Sequence, residues 1–449
     1  MMLGGTQAKQ AQQQAAPAPA DPVRPVPEKR TSKLPPYARS ELANAAPAPG
    51  SFVPRELLAV NLDKATLDRL QAQGYQIGPG SGGGLTRLAP PRQMTDPDAI
   101  KMLRELRDQL PDESVGHNFM YRPFGNGNAP APDIADASGS ADCQQPRRCY
   151  GRQLIEWNGK RAACAKSVKI GIIDTGFDRE HPAFDKATIW NAQIEKENAI
   201  KSPNQHGTSV LALLAGNPAS TTPGLVPGAT FLLADAFFGD SKGEAMTDTL
   251  RLIRALDVLD RHGAQVINMS LVGPLDRMVY HRIKAMAHKG VVFVAAVGNN
   301  GPSGALGYPA AYDEVIAVTA VDNKRRNYAH AGRGPHVDVS APGVGIWTAV
   351  PNRKEGYVTG TSFATVFVTA IASMAYNSTA LGDPLNPKRG TLDSAREILR
   401  LITLKEIVPG ADRETYGDGL AVASDCVQPA DWAPTVSNES PLVRRVSLQ

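Results

Sequence analysis

From Val168 onward the chain alternates short, mostly apolar runs with stretches in which apolar residues recur every three or four positions. The runs 168–173, 230–237, 264–271, 291–297 and 315–321 have strand length and are too uniformly apolar for a sheet with one wet face. Between them, Leu252, Leu256 and Leu259 share one helical face that stops at His262 and Gly263. Val279, Ile283 and Met286 share another, stopped by Gly290. Strands alternating with helices predict an α/β fold, a mostly parallel sheet with helices on both faces. The run 366–375 is apolar on every side and predicts a helix buried in the middle of that domain, behind an extended segment at 337–350.

A different pattern precedes it. Residues 56–60, 75–77, 85–88 and 115–121 read as strands, 62–73 as a short helix stopped by Gly74. Thr95, Asp96, Pro97 and Asp98 have capping-box spacing with proline in the first turn, and Ala99, Leu103, Leu106 and Leu110 follow on one face. The order β-α-β-β-α-β predicts a small ferredoxin-like α+β unit over residues 51–123. Residues 1–50 are rich in Ala, Pro and Gln, with Tyr37 their single aromatic, and read as a disordered leader without the apolar core of a signal peptide. Residues 124–165 read as a linker and processing region, 166–425 as the main domain, and 426–449, with Pro429, Pro434 and Pro441, as a loose C-terminal extension.

Composition narrows the function classes. The chain has 449 residues, 42% hydrophobic and 20% charged, with a net charge of +4. It has no basic runs interleaved with aromatics, which argues against nucleic acid as a partner, and no apolar run long enough to span a membrane. Cys143, Cys149, Cys164 and Cys426 are even in number and lack C-x-x-C or His-rich spacing, which argues against zinc and allows two disulfides in any of three connectivities. Four reduced thiols are the alternative.

Chemistry-bearing residues gather at the ends of the apolar runs, where open α/β sheets carry their sites. The first run ends in Asp174-Thr175-Gly176, a loop brings His206-Gly207-Thr208 to the start of an apolar helix, and another run ends in Gly298-Asn299-Asn300-Gly301. Gly360-Thr361-Ser362 opens the buried helix, where unpaired N–H groups favour developing negative charge. Acyl transfer to a serine needs a nucleophile, an imidazole base, a carboxylate that orients the imidazole and donors for the oxyanion, and Ser362, His206, Asp174 and Asn299 supply one of each. Each residue alone has a plainer reading, as a helix cap or turn.

Together these segments resemble the subtilase family, the serine peptidases similar to subtilisin. The resemblance spans about 166–425 and rests on several further segments besides those named: Asp178 with His181-Pro182, Ile267-Asn268-Met269-Ser270-Leu271, Tyr308-Pro309-Ala310 and Ser340-Ala341-Pro342-Gly343. It implies a serine endopeptidase acting on polypeptides, with Ser362 as nucleophile, His206 as base and then acid, Asp174 as orienting carboxylate, and Asn299 with the Ser362 N–H as oxyanion hole. Ser270, Leu271, Val272 and Gly273 would pair with an extended substrate. His181 would be a structural loop residue. The unit at 51–123 would be a propeptide, an intramolecular inhibitor whose tail is Asn118 to Pro123. No cofactor is required; calcium stabilises many relatives, but no ligands can be assigned in this chain. A monomer exported to the periplasm or beyond is expected.

Three departures bear on this. Val366 stands where the helix of relatives has proline, Ser209 where many have a second histidine, and Val272 where they have glycine. The β-branched Val272 beside the first specificity pocket predicts a preference for small or medium side chains before the scissile bond. Among rivals, an α/β-hydrolase needs its histidine after the serine, whereas the last histidine is His336. A chymotrypsin-like enzyme would be all β. The remaining alternative is a catalytically silent module that binds peptide or protein.

Overall fold

The computed structural model describes residues 52–78, 84–110, 115–123, 146–194, 200–377 and 393–424. The leader at 1–50 and the extension at 426–449 lie outside these residues.

The main sheet has nine strands. Those that position the site are β5 (Lys169–Asp174), β7 (Thr230–Asp235), β10 (Val266–Met269), β12 (Val292–Ala296), β13 (Val315–Val321) and β14 (Val339–Pro342), all wholly buried apart from the first residues of β5 and β7. The order along the sheet is β14-β13-β12-β10-β5-β7, every pair parallel. β6 (Thr188–Gln193) extends the β7 edge, and β18 (Leu420–Val422) with β17 (Thr403–Lys405) the other. The helix Thr361–Tyr376 lies under the sheet with all but Ala375 of its side chains buried, as its all-round apolar pattern requires. Helices Thr249–Arg261 and Arg277–His288 cover the opposite face through the Leu252, Leu256, Leu259 and Val279, Ile283, Met286 stripes.

The region expected to be linker as far as residue 165 is folded from 146 onward. A helix, Pro146–Leu154, and a 3-10 turn, Arg161–Ala165, bring Tyr150, Ile155, Trp157 and Ala165 into the main core. Its apolar residues are widely spaced among Arg148, Arg152 and Arg161, so periodicity does not reveal them.

The N-terminal unit consists of β1 (Phe52–Val60), β2 (Gln76–Ile77), β3 (Leu85–Ala89) and β4 (Val115–Pro123), with helices Lys64–Ala72 and Asp96–Gln109. Its antiparallel strands follow the order β2-β3-β1-β4. Thr95 caps the second helix through the Asp98 N–H, as the sequence spacing requires. Leu57, Ala59, Leu70, Leu88, Leu106 and Val115 form a core of its own.

Its sheet does not end at β4. The C-terminal part of β4 pairs antiparallel with β9 (Ala245–Asp248), Tyr121 opposite Thr247, and on its other side with β11 (Leu271–Val272), Arg122 opposite Val272 and Pro123 opposite Leu271. One strand of the small unit is thereby clamped between two strands of the large one.

Candidate active site

Asp174 is the last residue of β5 and is almost fully buried. A carboxylate there needs hydrogen-bond donors, and it has them: the Thr175 N–H donates to Oδ1 at 2.7 Å, and His206 Nδ1 lies 2.8 Å from Oδ1 and 3.0 Å from Oδ2. Because Asp174 only accepts, Nδ1 carries the proton and Nε2 is left basic. His206 is the second residue of the helix Gln205–Ala215, and the residue after it must be glycine, since a Cβ on Gly207 would sit 2.3 Å from the Thr175 carbonyl. That close approach, with the Gly207 N–H donating to Thr175 Oγ1 at 2.8 Å, fixes the helix start against the end of β5.

Ser362 is the second residue of its helix. Gly360, which has no side chain to cap with, holds the capping position, so the plainer reading of Ser362 as an N-cap does not apply. Its hydroxyl instead donates to the Ser270 carbonyl at 3.3 Å, and the Ser270 hydroxyl donates back to the Ser362 carbonyl at 3.1 Å. The ring of Phe363, next in sequence, packs on the His206 imidazole with centroids 5.6 Å apart. Asp174 and His206 are thus hydrogen-bonded across two elements, and the helix carrying Ser362 reaches them through the ring of Phe363. Asn299, just beyond β12, accepts from the Thr361 N–H at 3.1 Å and Thr361 Oγ1 at 2.9 Å, both through Oδ1. The end of its amide left to donate is therefore Nδ2.

Ser270 lies beside Ser362, and Leu271 and Val272 after it pair with β4. Asn268 orients Ser270, donating to its Oγ at 2.9 Å, while Thr369 donates to Asn268 Oδ1 at 3.0 Å. The Val272 side chain lies between two glycines, about 3.1 Å from where a Cβ would stand on either Gly298 or Gly307. His181 donates from Nε2 to the Lys354 carbonyl at 2.9 Å and accepts the Ala183 N–H on Nδ1, tying two loops together. The Ser209 hydroxyl donates to the Ala349 carbonyl, so the position where relatives have histidine is a packed contact with β15 (Ile346–Val350). Sequence reasoning missed β9, a strand of only four residues carrying one wall of the cleft. It also missed Asp276 and Thr249, which reach the cleft from helix starts. Among the described residues, no group of three or more His, Cys, Asp or Glu is arranged to hold a metal ion.

Comparison with known proteins agrees with this geometry. Residues 165–408 match the Peptidase_S8 family, described as the subtilase family. The chain is 32% identical over 220 residues to the major intracellular serine protease of Bacillus subtilis (strain 168), covering 46% of this chain and 68% of that protein. It is 32% identical over 233 residues to subtilisin DY of Bacillus licheniformis, covering 50% of this chain and 83% of that protein. In fold it is similar to fervidolysin from Fervidobacterium pennivorans, described as a keratinolytic enzyme related to subtilisin, with a TM-score of 0.69 at 20% identity. That likeness covers 84% of this chain, well beyond the family segment, and 61% of fervidolysin. With more than half of its length inside the family segment, the chain belongs to the subtilase family, the subtilisin-like serine peptidases.

Proposed function

We propose that the chain is a serine endopeptidase made as a precursor that cuts itself, with Ser362, His206 and Asp174 as its triad and residues 51–123 as its propeptide. The observation that carries this reading is the strand β4. It runs antiparallel to β11 toward Ser270, whose carbonyl accepts the Ser362 hydroxyl. A strand added between β9 and β11 is how an extended substrate would bind, recognised through its backbone.

In the reaction, Ser362 Oγ attacks the scissile carbonyl carbon while its proton passes to His206 Nε2. The imidazolium that forms is held by Asp174 through Nδ1–H, and the oxyanion by Asn299 Nδ2 and the Ser362 N–H. The C–N bond breaks as His206 returns the proton to the leaving amine. Water, deprotonated by His206, then hydrolyses the acyl-enzyme and regenerates Ser362. Only protein groups and water take part, and all come from one chain, in keeping with a monomer that needs no cofactor; calcium could still serve stability.

Export, with paired cysteines, belongs to the same proposal. No cysteine among the described residues is free, and no helix among them is long and apolar enough to cross a membrane. Cys143 and Cys426 lie outside the described residues.

Intact mass followed over time tests the reading. The wild-type chain should lose a segment ending within residues 124–145, whereas Ser362→Ala should stay whole under the same conditions. If neither chain changes and neither degrades an unfolded protein substrate, the silent binding module replaces the protease.

A further inference from the structure

Tyr121, in β4, is an almost fully buried side chain of the clamped strand. Only 1% of its surface is exposed, and its ring fills the space beside Gly273, where a Cβ would stand 2.2 Å from the ring. The pocket is apolar along its sides, with Leu250, Leu271 and Met278 in the same cluster, but its floor is not. The Tyr121 hydroxyl donates to Asp276 Oδ2 at 3.0 Å, and the Thr249 hydroxyl donates to the same oxygen at 2.5 Å.

Asp276 has an ordinary structural duty as well. Its Oδ1 caps the helix Arg277–His288, accepting the N–H groups of Met278 at 2.9 Å and Val279 at 3.2 Å. That duty accounts for one carboxylate oxygen and leaves the other facing the cleft. The main chain of Asp276 is pinned too, with the Tyr312 hydroxyl donating to its carbonyl at 2.6 Å and accepting its N–H at 3.1 Å. The acceptor at the pocket floor is therefore held in place whatever fills the pocket.

We infer that this pocket is a tyrosine-selecting subsite, with Asp276 accepting a hydrogen bond from the phenol of the substrate residue that takes the place of Tyr121. The inference rests on the protease reading, in which a substrate strand replaces β4 between β9 and β11. Arg122 and Pro123 pair with Val272 and Leu271, and the next residue of that wall is Ser270, at the nucleophile. A side chain at the Tyr121 position thus belongs to the fourth residue before the scissile bond. Phenylalanine fills the same volume but leaves the buried Oδ2 with one donor fewer, and that shortfall is what discriminates. Burial pushes the Asp276 carboxyl up, while donors, Thr249 first and Tyr121 among them, pull it down, so a phenol in the pocket favours the charged acceptor.

The test compares peptides that differ only at the fourth residue before the cleaved bond, with Tyr, Phe or Gly there, assayed on the wild-type chain and on Asp276→Asn. Ratios of kcat/KM are read from one preparation, so any fraction still blocked by the N-terminal unit cancels. The wild type should prefer Tyr over Phe by about 10-fold or more. Asp276→Asn, with asparagine still able to cap the helix, should bring the ratio close to 1. Gly273→Ala, which narrows the pocket, should reduce Tyr and Phe together relative to Gly. A wild-type ratio near 1, or one that Asp276→Asn leaves unchanged, overturns the subsite. If no peptide is cleaved, the Gly peptide included, the protease reading has failed. The subsite is then judged by fluorescence anisotropy of labelled Tyr and Phe peptides, where equal affinities overturn it.

Discussion

Val272 illustrates how one side chain can set the reach of a cleft. Its methyl groups occupy the gap between Gly298 and Gly307, space that, on the protease reading, a glycine at 272 would leave to the substrate. Val272→Gly should raise kcat/KM for peptides with Phe or Tyr directly before the scissile bond by roughly 10-fold or more, with little gain for Ala, as a peptide library would report. Phe124 is the first residue beyond β4, so a self-cut after it should also be faster in Val272→Gly. Asn299→Ala should reduce kcat by about 100- to 1000-fold with a much smaller effect on KM, the signature of a group that acts on developing charge. Asp174, His206, Asn299 and Ser362 were legible because each ends or opens a strand or helix and together they supply one of each group that acyl transfer needs, although each alone could be a cap or a turn. Asp276 was not legible as part of the cleft. A helix cap explains an aspartate at that position, and its other partner lies 155 residues away in sequence.

At the level of elements, the long buried strands and amphipathic helices were readable from periodicity, whereas β6 and β9, half-polar or very short, were not. The contact that joins the two units falls in this second class. The helix Thr249–Arg261 begins with amides that need acceptors. Asp248 caps one of them, while Asn118 of β4 accepts the Leu250 N–H at 3.0 Å and the Thr249 hydroxyl accepts the Phe119 N–H at 2.8 Å. Asn118 in turn donates to Glu56, which also pairs with Arg87 at 3.1 Å. Burial pushes the Glu56 carboxyl above its ordinary value of 4.5; Arg87, Asn118 and the more distant Arg251 oppose this, and Asp248 adds to it. An acid whose value is raised by folding binds its proton more tightly in the folded state. Its contribution is therefore full below about 4.5 and is lost as pH rises through the folded value. Glu56→Gln, neutral at every pH, should match Ser362→Ala in melting temperature near pH 4 when placed in that background, and exceed it by about 1–3 °C near pH 7. Scanning calorimetry at the two pH values decides this, and a difference that shrinks with rising pH would refute the assignment.

For the molecule as a whole, the clamped strand makes one continuous sheet of two units that each have their own core. β4 ends with Pro123 opposite Leu271, next to Ser270, whose carbonyl accepts the Ser362 hydroxyl, so on the precursor reading the first bond cut would be a bond of the same molecule. Such an event follows first-order kinetics. Its half-time should stay constant across a 100-fold dilution of the precursor, whereas cutting between molecules would slow in proportion, and a mass-spectrometric time course at several dilutions separates the two. On the same reading, a severed unit would keep the pairing of β4 with β9 and β11 and would lose its covalent link, and with it the high local concentration that link supplies. Scission and activation would then be separate events, and dilution, with no influence on the first, would govern the second.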